Sequence, residues 1–250
     1  MDKYLEELEV NGHCLLHSVL SDEELRDSRN QTQRVLDEGR QGVLQSRDQG
    51  YGVRNLLDLW PEVVELTRNA IASVLIRQVM GADAGVVRCL FFDKPPGRSW
   101  TLPWHRDRTI AIANPVSEMK TFSNLTKKAG VYHVNAPPEF LRHMLTLRFS
   151  LDPMLDENGP LVVQSGKHWP VEDGNEESQV QAEPFTKIFG QAGDMFVMRP
   201  LLPHSSLKSA ESTQLRRRII HIELSNIRHL PEGLEWHRFE PVFRDTNAVG

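Results

Sequence analysis

The run Val86-Val87-Arg88-Cys89-Leu90-Phe91-Phe92 marks the point at which this chain changes character. β-Branched and aromatic side chains crowd it, and they pack well on a pleated, buried surface. Similar runs follow at Met144 to Leu151, Leu161 to Gln164, Met195 to Met198 and Ile219 to Leu224. Upstream the pattern is helical instead. Ser21 and Glu24 have capping-box spacing, and Leu25, Val35 and Leu36 form a partly apolar stripe that Gly39 stops. Pro61 suits the first turn of a second helix, in which Val63, Val64, Leu66, Ile71, Val74, Leu75 and Val79 recur at helical spacing up to Gly81. Helices first and strands afterwards argue against alternating βαβ units. They fit an antiparallel, mainly β architecture with flanking helices on its outside. No G-x-G-x-x-G follows a strand and there is no Walker-type lysine loop, so nucleotide folds recede.

Two connecting stretches lack a strand or helix signal. Gln41 to Asn55, with Gly42, Gly50 and Gly52, reads as an irregular connection that could lie over the mouth of a pocket. The segment 106–142, with Pro115, Gly130, Pro137 and Pro138, reads as a substrate-binding insertion or lid without regular strands. Glu172 to Ser178 reads as an acidic loop. None is a linker that would divide the chain, so residues 1–250 are expected to form a single domain.

The 250 residues are 39% hydrophobic and 25% charged, enough to bury a core beneath a wet surface. The formal charge of -5 gives no long-range pull toward a polyanion, so nucleic acid is not an expected partner. The densest basic cluster, Arg216-Arg217-Arg218, lies in a strand-like segment without aromatic platforms and suits a local anion contact. Cys14 and Cys89 are the only cysteines, which excludes a disulfide scaffold or thiolate zinc cluster and points to a reducing interior. Without a secretion-type leader in MDKYLEELEV or a long apolar run, the expectation is a cytoplasmic protein with no membrane partner. Either a monomer or a homodimer fits.

The chemistry concentrates in Trp104-His105-Arg106-Asp107. His105 and Asp107 are one residue apart, so on extended backbone both side chains leave the same face and can reach one ion. Imidazole with carboxylate suits Fe(II). A later histidine, His204, stands beyond the strand-like run ending at Met198 and would complete a facial triad with open positions. His133 and His143 are also available but have no carboxylate at comparable spacing.

These residues, in this order, resemble the phytanoyl-CoA dioxygenase family, a branch of the Fe(II)- and 2-oxoglutarate-dependent oxygenases. His105 and Asp107 match the first two iron ligands, Asn158-Gly159-Pro160-Leu161 and Ser165-Gly166 with His168 match the N-G-P-L and S-G-x-H signatures, and His204 matches the distal ligand. Gln164 stands where a proline commonly precedes the S-G pair. The resemblance spans about Leu15 to Ser225. It implies a double-stranded β-helix of the jelly-roll, cupin-like kind, Fe(II) as cofactor, 2-oxoglutarate and O2 as cosubstrates, and His168 in a structural role. It also implies an arginine for the distal carboxylate of 2-oxoglutarate, with Arg216, Arg217 and Arg218 as candidates.

Strand parity divides these arginines. Arg216 and Arg218 share a face with Ile220, Ile222 and Leu224, while Arg217 shares the other with Ile219, His221 and Glu223. Apolar company favours the first face as interior, so Arg216, or Arg218 if the register shifts, is the expected carboxylate binder. Thr101 is a further candidate contact to the oxoacid. The implied activity is hydroxylation of a C–H bond in a small-molecule substrate. Two other readings fit the same residues: a non-oxidative metal-dependent enzyme on a jelly roll, or a noncatalytic small-molecule binding protein.

Overall fold

The structure, a computed structural model, describes residues 1–39, 41–46, 49–97, 99–116, 118–169 and 184–244. The expected acidic loop at 172–178 lies outside these residues. Beginning at Gly85–Lys94, eight strands wind between two antiparallel sheets. The larger sheet takes Gly85–Lys94, Met144–Ser150, Met195–Met198 and Arg217–Ser225, and the smaller takes Leu102–His105, Leu161–Val163, Thr186–Ile188 and His204–Ser206. The chain crosses from one sheet to the other and back, which is the winding of a double-stranded β-helix, or jelly roll. The large sheet runs in the order His13–Leu16, Met195–Met198, Met144–Ser150, Arg217–Ser225, Gly85–Lys94, Gln49–Val53, Val43–Ser46.

The large sheet is buried on both faces. Phe91, Leu145, Leu147, Phe149, Ile220, Ile222 and Leu224 pack against the helical layer through Leu25, Val35, Leu36, Val63, Leu75 and Ile76. Its other face turns toward the small sheet, and Phe196 and Met198 meet Leu161, Val163 and Ile188 there. Alternation along each strand therefore separates a helix-facing apolar row from an interior row that carries polar residues.

The helix expected from Ser21 spans Asp22–Glu38: Ser21 Oγ accepts from Glu24 N at 3.2 Å and Ser21 N donates to Glu24 Oε2 at 2.8 Å. The second expected helix is divided. Pro61–Arg68 is a 3-10 helix, and Asn69 then caps a separate α-helix, Ala70–Met80, by accepting from Ile71 N at 2.9 Å. Two expected irregular stretches are corrected. Val43–Ser46 and Gln49–Val53 form a hairpin on the large sheet's edge, and within 106–142 the strands Thr109–Ile112, Ser123–Lys128 and Val131–Asn135 form a third antiparallel sheet. Gly130, read as a loop breaker, instead closes a two-residue hairpin with Ala129; both have positive φ, 85° and 49°. This sheet packs Ile110, Ile112 and Val134 against Leu230, Leu234 and Trp236 of the C-terminal segment.

The Asn158-Gly159-Pro160-Leu161 turn supports the small sheet from below. Asn158 Oδ1 accepts from Leu155 N and its Nδ2 donates to Pro153 O, both at 2.8 Å. Gly159 has φ 73°, and a Cβ there would lie 2.4 Å from the backbone oxygen of Leu207. Gly159→Ala should therefore cost more than about 2 kcal/mol, since neither the conformation nor the opposing backbone can yield. Urea denaturation checks this, and a loss below about 0.5 kcal/mol would contradict the steric account.

Candidate metal centre

His105 is the last residue of its strand and His204 the first of the neighbouring one, and the register places them directly opposite each other. Their rings lie 4.2 Å apart between centroids. Asp107 follows on irregular backbone held by its own N–H, which donates to Pro200 O at 2.8 Å. His105 Nε2 stands 3.7 Å from Asp107 Oδ1, and His204 Nε2 stands 3.7 Å from Asp107 Oδ2. One donor atom from each residue falls within a 4.8 Å group.

Hydrogen bonding sets the histidine tautomers. Nδ1 of His105 is 2.7 Å from Pro103 O and Nδ1 of His204 is 2.9 Å from Leu202 O. A carbonyl oxygen only accepts, so both Nδ1 atoms carry the proton and both Nε2 lone pairs face Asp107. Burial pushes the His204 pKa down to about 3, keeping the ring neutral. Burial alone would raise the Asp107 pKa, but His204, His221, His105 and Arg148 outweigh it and hold the value at about 2. Among the described residues, Asp107 Oδ2 is buried without a hydrogen-bond partner. Two imidazole nitrogens and an ionised carboxylate with an orphaned oxygen converge, which is the donor chemistry a divalent cation satisfies.

A narrow cleft runs from this cluster between the two sheets. Phe92, Trp100, Leu102 and Leu161 supply apolar walls, and Ser206, Arg217, Arg148 and His221 supply polar ones. Arg217 is 2% exposed, and its Nη2 donates to Ser206 Oγ at 2.9 Å. Lys94 Nζ donates to the same Ser206 Oγ at 2.8 Å and to Leu207 O at 2.5 Å. Burial lowers the Lys94 pKa to about 6, helped by the charges of Arg217 and Arg148.

The other expected residues stand elsewhere. Arg216 pairs with buried Asp93, its Nε donating to Oδ1 at 2.9 Å. Arg218 pairs with Asp152 through bonds of 2.8 and 2.7 Å. Neither lines the cleft, and Thr101 is exposed. Arg216 and Arg218 do lie on the face opposite Arg217, but the apolar face is core and not the cleft. Ile220, Ile222 and Leu224 instead meet the helices, and the row of Arg217 and His221 meets the cleft. His168 packs against Gly12, and Ser165 Oγ lies 2.7 Å from His13 Nε2, so this signature anchors the N-terminal helix and first strand. His133 is buried in the third sheet and His143 is exposed; neither joins the metal group.

Lys94, Ser206 and His221 escaped the sequence reading; Arg148, in a strand-like run open either to a hydrated cavity or to the outside of the sheet, lines the cleft. A legible signal was the polar row Arg217, His221, Glu223 on one side of an otherwise apolar strand. His221 lines the cleft without being a fourth donor: Arg148 Nη1 donates to its Nδ1 at 3.1 Å, so Nε2 holds the proton, 3.4 Å from Glu223 Oε1 and 3.9 Å from Asp107 Oδ2. Glu223 pairs in turn with Arg88 at 3.2 Å.

A family model for phytanoyl-CoA dioxygenase matches residues 8–218. The chain belongs to the phytanoyl-CoA dioxygenase family. No curated protein matches the sequence. Several solved structures share the family fold at low identity. SnoK, a non-heme alpha ketoglutarate dependent carbocyclase from nogalamycin biosynthesis, is 17% identical with a TM-score of 0.67, over 90% of this chain and 83% of SnoK. EctD from S. alaskensis with bound Fe is 14% identical with a TM-score of 0.67, over 90% of this chain and 76% of EctD. HygX from Streptomyces hygroscopicus, with nickel and 2-oxoglutarate bound, is 15% identical with a TM-score of 0.60, over 90% of this chain and 87% of HygX. These three structures share the jelly roll found here. Among the described residues, no helix is long and apolar enough to cross a membrane.

Proposed function

We propose that this member of the phytanoyl-CoA dioxygenase family is an Fe(II)- and 2-oxoglutarate-dependent dioxygenase that hydroxylates a C–H bond of a small molecule. The observation that carries the reading is the placement of a two-histidine, one-carboxylate donor set and an unpaired cationic pocket at two ends of one cleft. His105, Asp107 and His204 would hold the iron, which when bound supplies oxygen activation coupled to oxidation of the oxoacid. Arg217, with Lys94 and Ser206, would hold the distal carboxylate, taking the role the sequence suggested for Arg216 or Arg218. A guanidinium fork held at Ser206 is preorganised for two parallel hydrogen bonds to a carboxylate.

The remaining residues position and exclude. Phe92, Trp100, Leu102 and Leu161 keep bulk water from the cleft, which strengthens each charged contact inside it. The sheet formed by 109–135 leaves the metal ligands directly and would shape the entry of the primary substrate. Buried, unpaired Cys14 and Cys89 support a reducing, cytoplasmic setting. The direct test is oxygen uptake by Fe(II)-loaded protein with 2-oxoglutarate, with succinate measured alongside. Coupled, iron-dependent formation of succinate supports the reading. Its absence across a broad panel of small-molecule substrates would favour the non-oxidative or binding roles.

Lys94 adds a pH signature. With a pKa of about 6 in the free protein, its ammonium is largely deprotonated at neutral pH, and a carboxylate bound beside it raises that pKa. Binding of 2-oxoglutarate at pH 7.5 should then take up a proton, and affinity should weaken as pH rises from about 6 toward the pKa of the bound state, by up to about tenfold per pH unit. Calorimetry in buffers of different ionisation enthalpy measures this uptake. Lys94→Met should abolish it, and equal uptake in that variant would remove Lys94 from the account.

A further inference from the structure

Arg148 is the cation in the cleft that this reading does not employ. It lies within Met144–Ser150 and is 7% exposed, directly across from His221 in the sheet register. Among the described residues, no carboxylate lies within 4.0 Å of its guanidinium. Burial lowers its pKa to about 10, partly offset by Asp107, so the group is charged at neutral pH. A buried, unpaired guanidinium facing a cavity is unfavourable in the empty protein and favours an anion there.

Its position defines where that anion would sit. Arg217, Lys94 and Ser206 already furnish a complete site for one carboxylate. Arg148 adds a second positive centre that lines the cleft together with His105, Asp107 and His204; its Nη1 lies 3.1 Å from His221 Nδ1, and Nε2 of the same ring stands 3.9 Å from Asp107 Oδ2. It therefore lies toward the metal donors. The guanidinium is also fixed: Nη1 donates to His221 Nδ1, His221 faces Glu223, and Glu223 is held by Arg88. A cation whose orientation is set by such a line loses little freedom on binding a ligand.

We propose that Arg148 binds a second carboxylate at the metal end of the cleft, so that the site selects a dicarboxylate by both of its ends. This rests on the reading of Arg217 as the distal carboxylate site. The source argued here is the carboxylate adjacent to the ketone of the oxoacid; a carboxylate on the primary substrate has the same chemistry, and the test separates the two.

The test uses the full chain loaded with Ni(II), in wild-type form and as Arg148→Gln, Arg148→Lys and Arg217→Met, with binding followed by calorimetry and folding by melting temperature. Ligands are 2-oxoglutarate, 4-oxopentanoate, which lacks the carboxylate beside the ketone, and formate added to protein saturated with 2-oxoglutarate. Arg148→Gln should weaken 2-oxoglutarate about tenfold or more and leave 4-oxopentanoate within about twofold, Arg148→Lys should recover part of the loss, and Arg217→Met should weaken both oxo acids. If Arg148→Gln spares 2-oxoglutarate but abolishes saturable formate binding, the second carboxylate belongs to the primary substrate. Equal weakening of both oxo acids by Arg148→Gln, or no change with 2-oxoglutarate and formate alike, overturns the proposal. Failure of the wild type to bind 2-oxoglutarate overturns the Arg217 reading and this inference with it, whereas loss of 2-oxoglutarate in Arg217→Met alone, with formate binding unchanged in Arg148→Gln, overturns only this inference.

Discussion

Replacing Asp107 or His204 by alanine is expected to lower divalent-metal affinity by more than about 100-fold, beyond the range typical of outer contacts to metal ligands. The warrant is geometric. Both Nε2 lone pairs face the carboxylate, and Asp107 Oδ2 is buried with no hydrogen-bond donor among the described residues. Removing either residue leaves two donors, too few to hold the ion in a fixed position. Ni(II) titration measures the affinity, and thermal melting gives an independent reading. Metal at 100 times its Kd should stabilise the wild type by about 2.7 kcal/mol and stabilise the alanine variants little. Iron-dependent succinate formation should fall to background in parallel. Wild-type metal affinity in both variants would dissolve the proposed centre.

Arg217→Met is expected to weaken 2-oxoglutarate binding by roughly 2 to 5 kcal/mol, the usual cost of losing one partner from a buried charged pair. Arg216→Ala and Arg218→Ala should leave that affinity within about threefold, because their guanidinium groups are engaged by Asp93 and Asp152 outside the cleft. Those two variants should instead lose stability, Arg216→Ala by removing the ion-pair partner of buried Asp93 and Arg218→Ala, to a smaller extent, by leaving Asp152 with Arg29 and the backbone N–H of residue 218. The comparison of affinity with denaturation midpoint across all three neighbours therefore separates binding from support. A dominant affinity defect in Arg216→Ala or Arg218→Ala would restore the assignment drawn from parity.

The sequence by itself determined the order of helices and strands, because capping at Ser21, the apolar spacing of the helices and the β-branched runs are local signals with local causes. It also brought His105, Asp107 and His204 forward as a set, since one-residue spacing and a histidine after a later strand are visible in a linear chain. The hairpin at Ala129-Gly130 was less legible: a glycine breaks a segment or turns it, and only the facing strand decides which. What the tertiary structure decided is which buried face of Arg217–Ser225 is core and which is site. Periodicity reports that side chains alternate, but both rows of this strand are buried, one under helices and one in the cleft. The apolar row lies where water is excluded by other hydrocarbon. Arg217, His221 and Glu223 lie where polar partners from three other strands converge, and those partners, Arg148, Ser206 and Arg88, are neighbours only after folding.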